Sequence, residues 1–526
     1  MVMETRENKN YSYCAAIILF LGIILRFINL NIPLGVYVDE AISGYDSWCL
    51  AYYGVDQHLA SYPVYLKSWG TGQSALYAYF GIPFIKAFGL SISVYRLPMA
   101  IISCLSLILF YYTFRKTQKN TYWLLVVFLI FALNPWHIMK SRWALDCNLA
   151  PDFILMAISC FVLGYNSPER NNIKYIIASI FLVLAAYSYG ASWLMLPFLT
   201  IFIFTFLYRK KRIRLSGIAL CLTTMGILLF PLILFAIQLF TGGEQYSLGP
   251  LTITALSSAR HDSTVLPYGG GIWNSLYYQL LNAIHLLVTG DDTYRRNTFY
   301  LIGQFYNLLG IPFIIIAIVY LIKRKGERNI FDALFALCLI ASLPTMFIVD
   351  PSVHHWNVIW FPLIYFVARG IFISTRKAVW RRYTFFAVIT CLSFGFGWKY
   401  ITFFTAKDTP YPSEFRVDLD EAITAAKEKG CEKICMYQAF AHTLFYDPVD
   451  PHIFDATKKM KTLKGGIEVA ISYAGYELEL PEEIIPVHGK VYIIKTSDLG
   501  NYRIDFNKFH TQDVSLYTLL WSNDTK

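Results

Sequence analysis

Two adjacent carboxylates, Asp39 and Glu40, follow the first membrane-length apolar run, Cys14–Leu30, by about ten residues. Charge that close to an apolar core marks a substrate or ion site, or rests in headgroup water. A carboxylate within hydrogen-bond reach of a hydroxyl can take its proton. A second group, His137, Lys140, Arg142 and Asp146, is concentrated in the segment Asn134–Asn148 between two apolar runs. The planar fork of Arg142 matches phosphate oxygens, while Asp146 can orient a hydroxyl or pair with Arg142 four residues earlier. Arg295 and Arg296 are adjacent cations that suit anionic lipid. The turn Asp350–Asn357 brings His354, His355 and Asn357, but neighbouring side chains on a helix diverge, so a two-histidine metal pair is weak. Cys431 and Cys435 suit a disulfide or two buried small residues better than zinc.

The elements that must position these groups are membrane helices. Of 526 residues, 56% are hydrophobic and 15% charged, with mean hydropathy +0.45. Ordinary soluble domains carry about a quarter charged residues, so this is a polytopic membrane protein. Apolar runs predict about 11 spans: Cys14–Leu30, Leu97–Phe114, Tyr122–Trp136, Leu149–Tyr165, Tyr175–Tyr189, Ala191–Tyr208, Ile218–Phe240, Leu301–Ile322, Phe331–Val349, Trp356–Ile373 and Tyr383–Phe404. The segment Ala75–Phe88 holds Gly81, Pro83 and Lys86 and is too short to cross, so it reads as an interfacial helix within a long loop, residues 31–95. That loop is rich in aromatics such as Tyr45, Trp48, Tyr52 and Trp69, which suit the headgroup level.

The net charge of +10 falls in alternate loops, at Arg115–Lys119, Arg170 with Lys174, Arg209–Arg214, Lys323–Arg328 and Arg376–Arg382. This is the positive-inside pattern of a membrane protein, not a nucleic-acid surface. It predicts a cytoplasmic N-terminus and places Asp39 and Glu40 outside. Met1–Tyr13 is polar and no small-residue cleavage site follows the first run, so no cleaved signal is expected. From Thr405 the chain turns charged and polar, predicting a small extracytoplasmic α/β domain over residues 405–526 beyond a transmembrane domain of residues 1–404. Within it Phe415–Lys429 reads as a helix, and Lys433–Tyr437, Lys490–Lys495 and Val514–Trp521 as strands.

The order of short motifs resembles a known family. An Arg26-bearing first span precedes Asp39 and Glu40; then come Ala75-Leu-Tyr77-Ala-Tyr79, Phe88-Gly89, Arg96-Leu-Pro98 and Arg142-x3-Asp146-x2-Leu149. This arrangement is similar to the GT-C membrane glycosyltransferases, in the branch of the protein O-mannosyltransferases and lipid A aminoarabinose transferases. The match covers the chain up to about Leu149; later spans agree in number and topology only.

The resemblance implies an inverting transfer of a sugar from a polyprenyl-phosphate donor to an acceptor on the extracytoplasmic face. Asp39 takes the family's catalytic position as base, and Glu40 positions or tunes it. The lipid phosphate needs cationic donors, for which Arg142, Lys67, Arg96 and the pair Arg295 and Arg296 are candidates in that order. His354 and Asn357 are candidates to touch the sugar. Relatives differ in metal dependence, so the resemblance demands no cofactor and leaves a divalent metal open. The acceptor, whether protein, lipid or wall polymer, is not specified. The competing readings are a transporter or flippase, which wants ionisable groups near the midplane and matching broken helices, and a wall-polymer ligase or polymerase.

Overall fold

Asparagine side chains open membrane helices where the chain leaves water. Asn120 Oδ1 accepts the Trp123 N–H at the start of Thr121–Ala132. Asn329 and Asp332 cap each other's backbone N–H at the start of Ile330–Ala341. Each such cap satisfies donors that the first helical turn leaves without intrahelical partners. The computed structural model describes residues 2–167, 172–256, 271–292, 302–407, 414–463 and 466–523.

Seven helices among the described residues are long and apolar enough to cross a membrane: Lys9–Phe27, Ile92–Thr117, Asp146–Tyr165, Leu215–Thr241, Ile330–Ile348, Asn357–Thr375 and Val379–Thr405. The other predicted spans are helices too, Thr121–Ala132, Asn172–Ser188, Leu196–Arg209 and Asn307–Lys323, but shorter. At 1.5 Å per residue these reach roughly 18–26 Å, less than the ~30 Å hydrocarbon core. The protein is a multi-pass membrane protein with a strand-rich C-terminal region.

The chain divides into two compact units. The first gathers Met1–Ile28, Arg96–Ile233 and Arg260–Ile401. Its centre is aromatic: Phe110, Phe114, Phe131, Phe331 and Phe335 are all buried. Phe335 also stacks on Tyr365 at 4.4 Å between ring centres. Rings give large buried area and orientation-specific contact, and apolar burial alone orders nothing between helices in lipid.

The second unit gathers Asn29–Tyr95, Leu234–Ala259 and Thr402–Lys526, so the compact grouping differs from the compositional boundary at residue 404. After α1 (Val2–Phe27) of the first unit, this unit holds α2 (Val38–Tyr53) and α3 (Leu76–Phe88), with a two-stranded hairpin, Tyr65–Leu66 against Gln73–Ser74, between them in the chain. Thus the long loop is mostly structured. In the tail, seven strands form one mixed sheet. Lys433–Cys435 pairs in parallel with Lys490–Lys495, which pairs antiparallel with Tyr517–Ser522. The tail helix is Leu419–Lys427, shorter than its apolar pattern because Asp418 enters at φ +61°. All ten cysteines are free thiols, so Cys431 and Cys435 form no disulfide.

Candidate active site

Helix α2 begins two residues before Glu40, and the backbone N–H of Tyr37 donates to Glu40 Oε2 at 3.1 Å. Glu40 is buried and acts as the returning half of a helix cap. Asp39 differs. It is half-buried in the first turn of α2, and among the described residues its carboxylate has no hydrogen-bond or ion-pair partner. Its backbone carbonyl lies 3.5 Å from Gln73 Nε2. The first helical turn favours negative charge through the backbone dipole, which suits a carboxylate at this position. An accessible, unoccupied carboxylate has the acceptor capacity that a general base requires.

Lys67, in the same unit, pairs with Glu468 at 3.2 Å, with both side chains about a quarter exposed. A carboxylate already at its ammonium lowers its claim as a phosphate ligand.

The structure adds an acidic pair that the sequence reading left unassigned. Gln57 donates to both oxygens of Asp46, from its backbone N–H and from Nε2, each at 3.0 Å. Asp56 Oδ1 accepts from the N–H groups of His58 and Ala60, each at 2.9 Å, while its buried Oδ2 has no partner among the described residues. Burial pushes the Asp56 carboxyl up to about 6, against the backbone bonds and the Lys458 charge. Burial and the Asp56 charge hold Asp46 well above the usual carboxylate range.

An unfolded aspartate ionises near pH ~4. The folded state therefore holds this proton more tightly, and its stabilising contribution is full below pH ~4 and lost as pH rises through about 6. Asp56→Asn is expected to flatten that dependence, worth on the order of 1–3 kcal/mol. Thermal unfolding of both proteins between pH 4 and pH 7 is the measurement, and equal slopes would reject the assignment.

In the first unit the segment after Thr121–Ala132 (α5, following α4, Ile92–Thr117) folds into a short helix α6, Pro135–Lys140, and then into α7, Leu149–Tyr165. Asn134 caps α6 by accepting the His137 N–H at 2.9 Å. Arg142 is buried, donates Nη1 to the Leu25 carbonyl at 2.9 Å, and lies 5.9 Å from the Tyr400 ring centre. Asp146 is half-buried, and its Oδ1 accepts the Cys147 N–H at 2.7 Å. Asn357 is wholly engaged: Oδ1 accepts from Trp136 Nε1 at 3.2 Å, and Nδ2 donates to Cys147 O and Asn148 Oδ1 at 3.2 and 3.0 Å. It ties two connections together. His354 stacks on Trp143 at 5.8 Å. Arg96 is buried within α4. Arg295 and Arg296 lie outside the described residues.

The most concentrated ionic network in this unit centres on Asp152, a residue the motif reading passed over. Asp152 Oδ1 faces His137 Nε2 at 3.1 Å and accepts from Ser106 Oγ at 2.6 Å. Its Oδ2 accepts from Ser103 Oγ at 2.7 Å and from the ammonium of Lys140. Lys140 also donates to the Asn148 carbonyl at 3.0 Å. His137 Nδ1 receives Arg26 Nη2 at 2.9 Å, and Arg26 Nη1 donates to the Ala132 carbonyl at 3.0 Å. One carboxylate thereby joins α4, α6 and α7 directly, and α1 through His137. The signal was an ionisable residue inside an apolar run, at Arg26 and again at Asp152.

No family model matches the sequence, and no curated protein matches it. Solved structures do. The crystal structure of ArnT from Cupriavidus metallidurans in the apo state is similar at TM-score 0.54 and 10% identity, over 96% of this chain and 97% of that one. The same protein bound to undecaprenyl phosphate gives TM-score 0.53 at 10% identity with the same coverage. The archaeal oligosaccharyltransferase AglB from Archaeoglobus fulgidus, in complex with an inhibitory peptide and a dolichol-phosphate, gives TM-score 0.43 at 12% identity. It covers 83% of this chain and 55% of its own. Similarity to ArnT along nearly the whole of both chains shows a shared architecture, and this chain has the GT-C fold.

Proposed function

We propose that the protein is an inverting glycosyltransferase that moves a sugar from a polyprenyl-phosphate donor to an acceptor hydroxyl on the extracytoplasmic face. The observation that carries the reading is Asp39: a half-buried carboxylate with no partner among the described residues, in the first turn of α2, on a GT-C fold. The undecaprenyl phosphate bound by the similar ArnT supports the donor class.

In the reaction, the acceptor oxygen attacks the anomeric carbon as its proton passes to Asp39. The bond from that carbon to the phosphate oxygen breaks, and the lipid phosphate leaves with the electron pair. The growing phosphate charge needs a cation, and Arg142 ranks first because its fork is planar and always charged. Lys67 ranks lower because of Glu468. Arg96 follows, and Arg295 and Arg296 complete the set. Glu40 holds the helix start, and so positions Asp39 through the backbone. Asp146 and His354 remain candidates on the sugar side, with Asn357 supporting their connections. Among the described residues no three His, Cys, Asp or Glu side chains form a metal-holding group, and no step here is routed through a metal. The positive-inside pattern supports a cytoplasmic N-terminus and an external tail, residues 405–526, as a domain beyond the membrane domain, residues 1–404.

The test is release of polyprenyl phosphate from a panel of synthetic polyprenyl-phosphate sugars by purified protein, with cell-envelope extract as acceptor. Release with one donor, with transfer of its sugar, is expected. Movement of intact donor across vesicles without cleavage would replace this reading by a flippase.

A further inference from the structure

The segment that delivers Asp39 to its place, Leu34–Tyr37, belongs to no strand and no helix interior. Its position is therefore set by whatever binds its backbone. Beside the local bonds of Tyr37 to Glu40 and Ala41, bonds reach it from Phe404 at the end of the last membrane helix and from Phe415 and His442 in the tail. The Leu34 N–H donates to the Phe404 carbonyl at 3.2 Å, and the Val36 N–H to the Phe415 carbonyl at 3.0 Å. His442 Nε2 lies 3.1 Å from the Val36 carbonyl, which can only accept, so this nitrogen carries the hydrogen. Val36 is thus held on both its backbone groups, three residues before Asp39.

His442 sits on a short helix, Phe440–Tyr446, that grips the same region at other points. The Phe445 ring lies so close to Gly44 of α2 that a Cβ there would come within 2.6 Å of it. Phe440 meets the Trp69 ring edge-on at 4.8 Å. Beyond the helix, the Val449 carbonyl accepts from Tyr45 Oη at 2.7 Å. Gly35 shows how tight the approach is: it adopts φ +74°, and a Cβ would meet the Phe415 carbonyl oxygen at 2.4 Å. His442 itself is buried. Burial holds its imidazole down to about 3, so it stays neutral and keeps this bond as an uncharged donor throughout the working pH range.

We propose that His442 is a positioning residue for Asp39, fixing the entry of α2 through its bond to the Val36 carbonyl, and that the tail is thereby part of the active-site framework. This rests on the reading of Asp39 as the base. An error of about 1 Å in a reacting group can cost about 10²-fold in rate without loss of substrate binding.

The experiment compares kcat and KM for the polyprenyl-phosphate sugar in wild type, His442→Phe, His442→Gln, His442→Asn, Asp39→Asn and the double variant Asp39→Asn with His442→Phe. His442→Phe is expected to lower kcat about 10- to 100-fold with the donor KM within about 3-fold of wild type. Gln carries its amide nitrogen about as far as Nε2 and should restore kcat to within about 3-fold, whereas the shorter Asn should not. The double variant should be no slower than Asp39→Asn alone, because a displaced base that is absent costs nothing more. Wild-type kcat in His442→Phe, alongside an inactive Asp39→Asn, would overturn the positioning role and leave the base intact. Full activity of Asp39→Asn would instead remove the base, and this inference with it. If His442→Phe does not fold, the Gln and Asn variants decide: equal kcat for the two would overturn the proposal.

Discussion

Asp39→Asn is expected to lower sugar transfer about 10²- to 10⁴-fold, the range a general base contributes. The substitution is close to isosteric, and among the described residues the carboxylate makes no hydrogen bond or ion pair that it would break. The loss should therefore fall on kcat, with donor KM and thermal stability near those of wild type. Glu40→Gln is the internal contrast. Its remaining amide oxygen can still accept the Tyr37 N–H, so this cap keeps its bond and loses its charge-assisted part, about 1 kcal/mol or less of stability. Polyprenyl-phosphate release by both variants, measured beside unfolding midpoints in one detergent, separates chemistry from folding. Asp39→Asn with wild-type turnover would remove Asp39 from the reaction and turn attention to Asp146, the other half-buried acid among the candidates.

The helices were legible because apolar runs are linear signals: each of the predicted spans contains a helix, and Leu76–Phe88 is one of the shorter ones. Boundaries shifted where a local device intervened, as with the left-handed Asp418 that delays Leu419–Lys427. The sequence set Asp39 beside Glu40, and the resemblance implied a base and its positioner, but neither showed what holds Glu40. That is a backbone N–H, which claims Glu40 and leaves its neighbour open. Lys67 looked like a phosphate ligand in isolation because its partner, Glu468, is 401 residues away in the chain. The bond of His442 to Val36 spans 406 residues, and no spacing rule reaches that distance. Asn357 appeared free to meet a sugar, yet its amide is spent on Trp136, Cys147 and Asn148.

Asp152→Asn is the substitution expected to damage the fold most. Asp152 and Lys140 are both buried, and the carboxylate also collects two serine hydroxyls and His137. Pairing charges in an apolar interior gains little over a well-packed apolar alternative, because each ion loses its hydration. Removing one partner is a different matter: Lys140 and Arg26 would remain buried with no carboxylate in the network, at a cost of about 3–5 kcal/mol. Water cannot relieve them cheaply, since these groups lie among apolar membrane helices. The measured result should be a lowered unfolding midpoint and a smaller monodisperse fraction in detergent, before any assay of transfer. Adding Lys140→Met to Asp152→Asn should recover part of the loss, because the worst orphan, an unpaired ammonium, is then gone. An Asp152→Asn protein as stable as wild type would show that the network carries no net charge dependence. A double variant less stable than the sum of its parts would show that Lys140 serves the Asn148 carbonyl, and so the connection between α6 and α7, independently of Asp152.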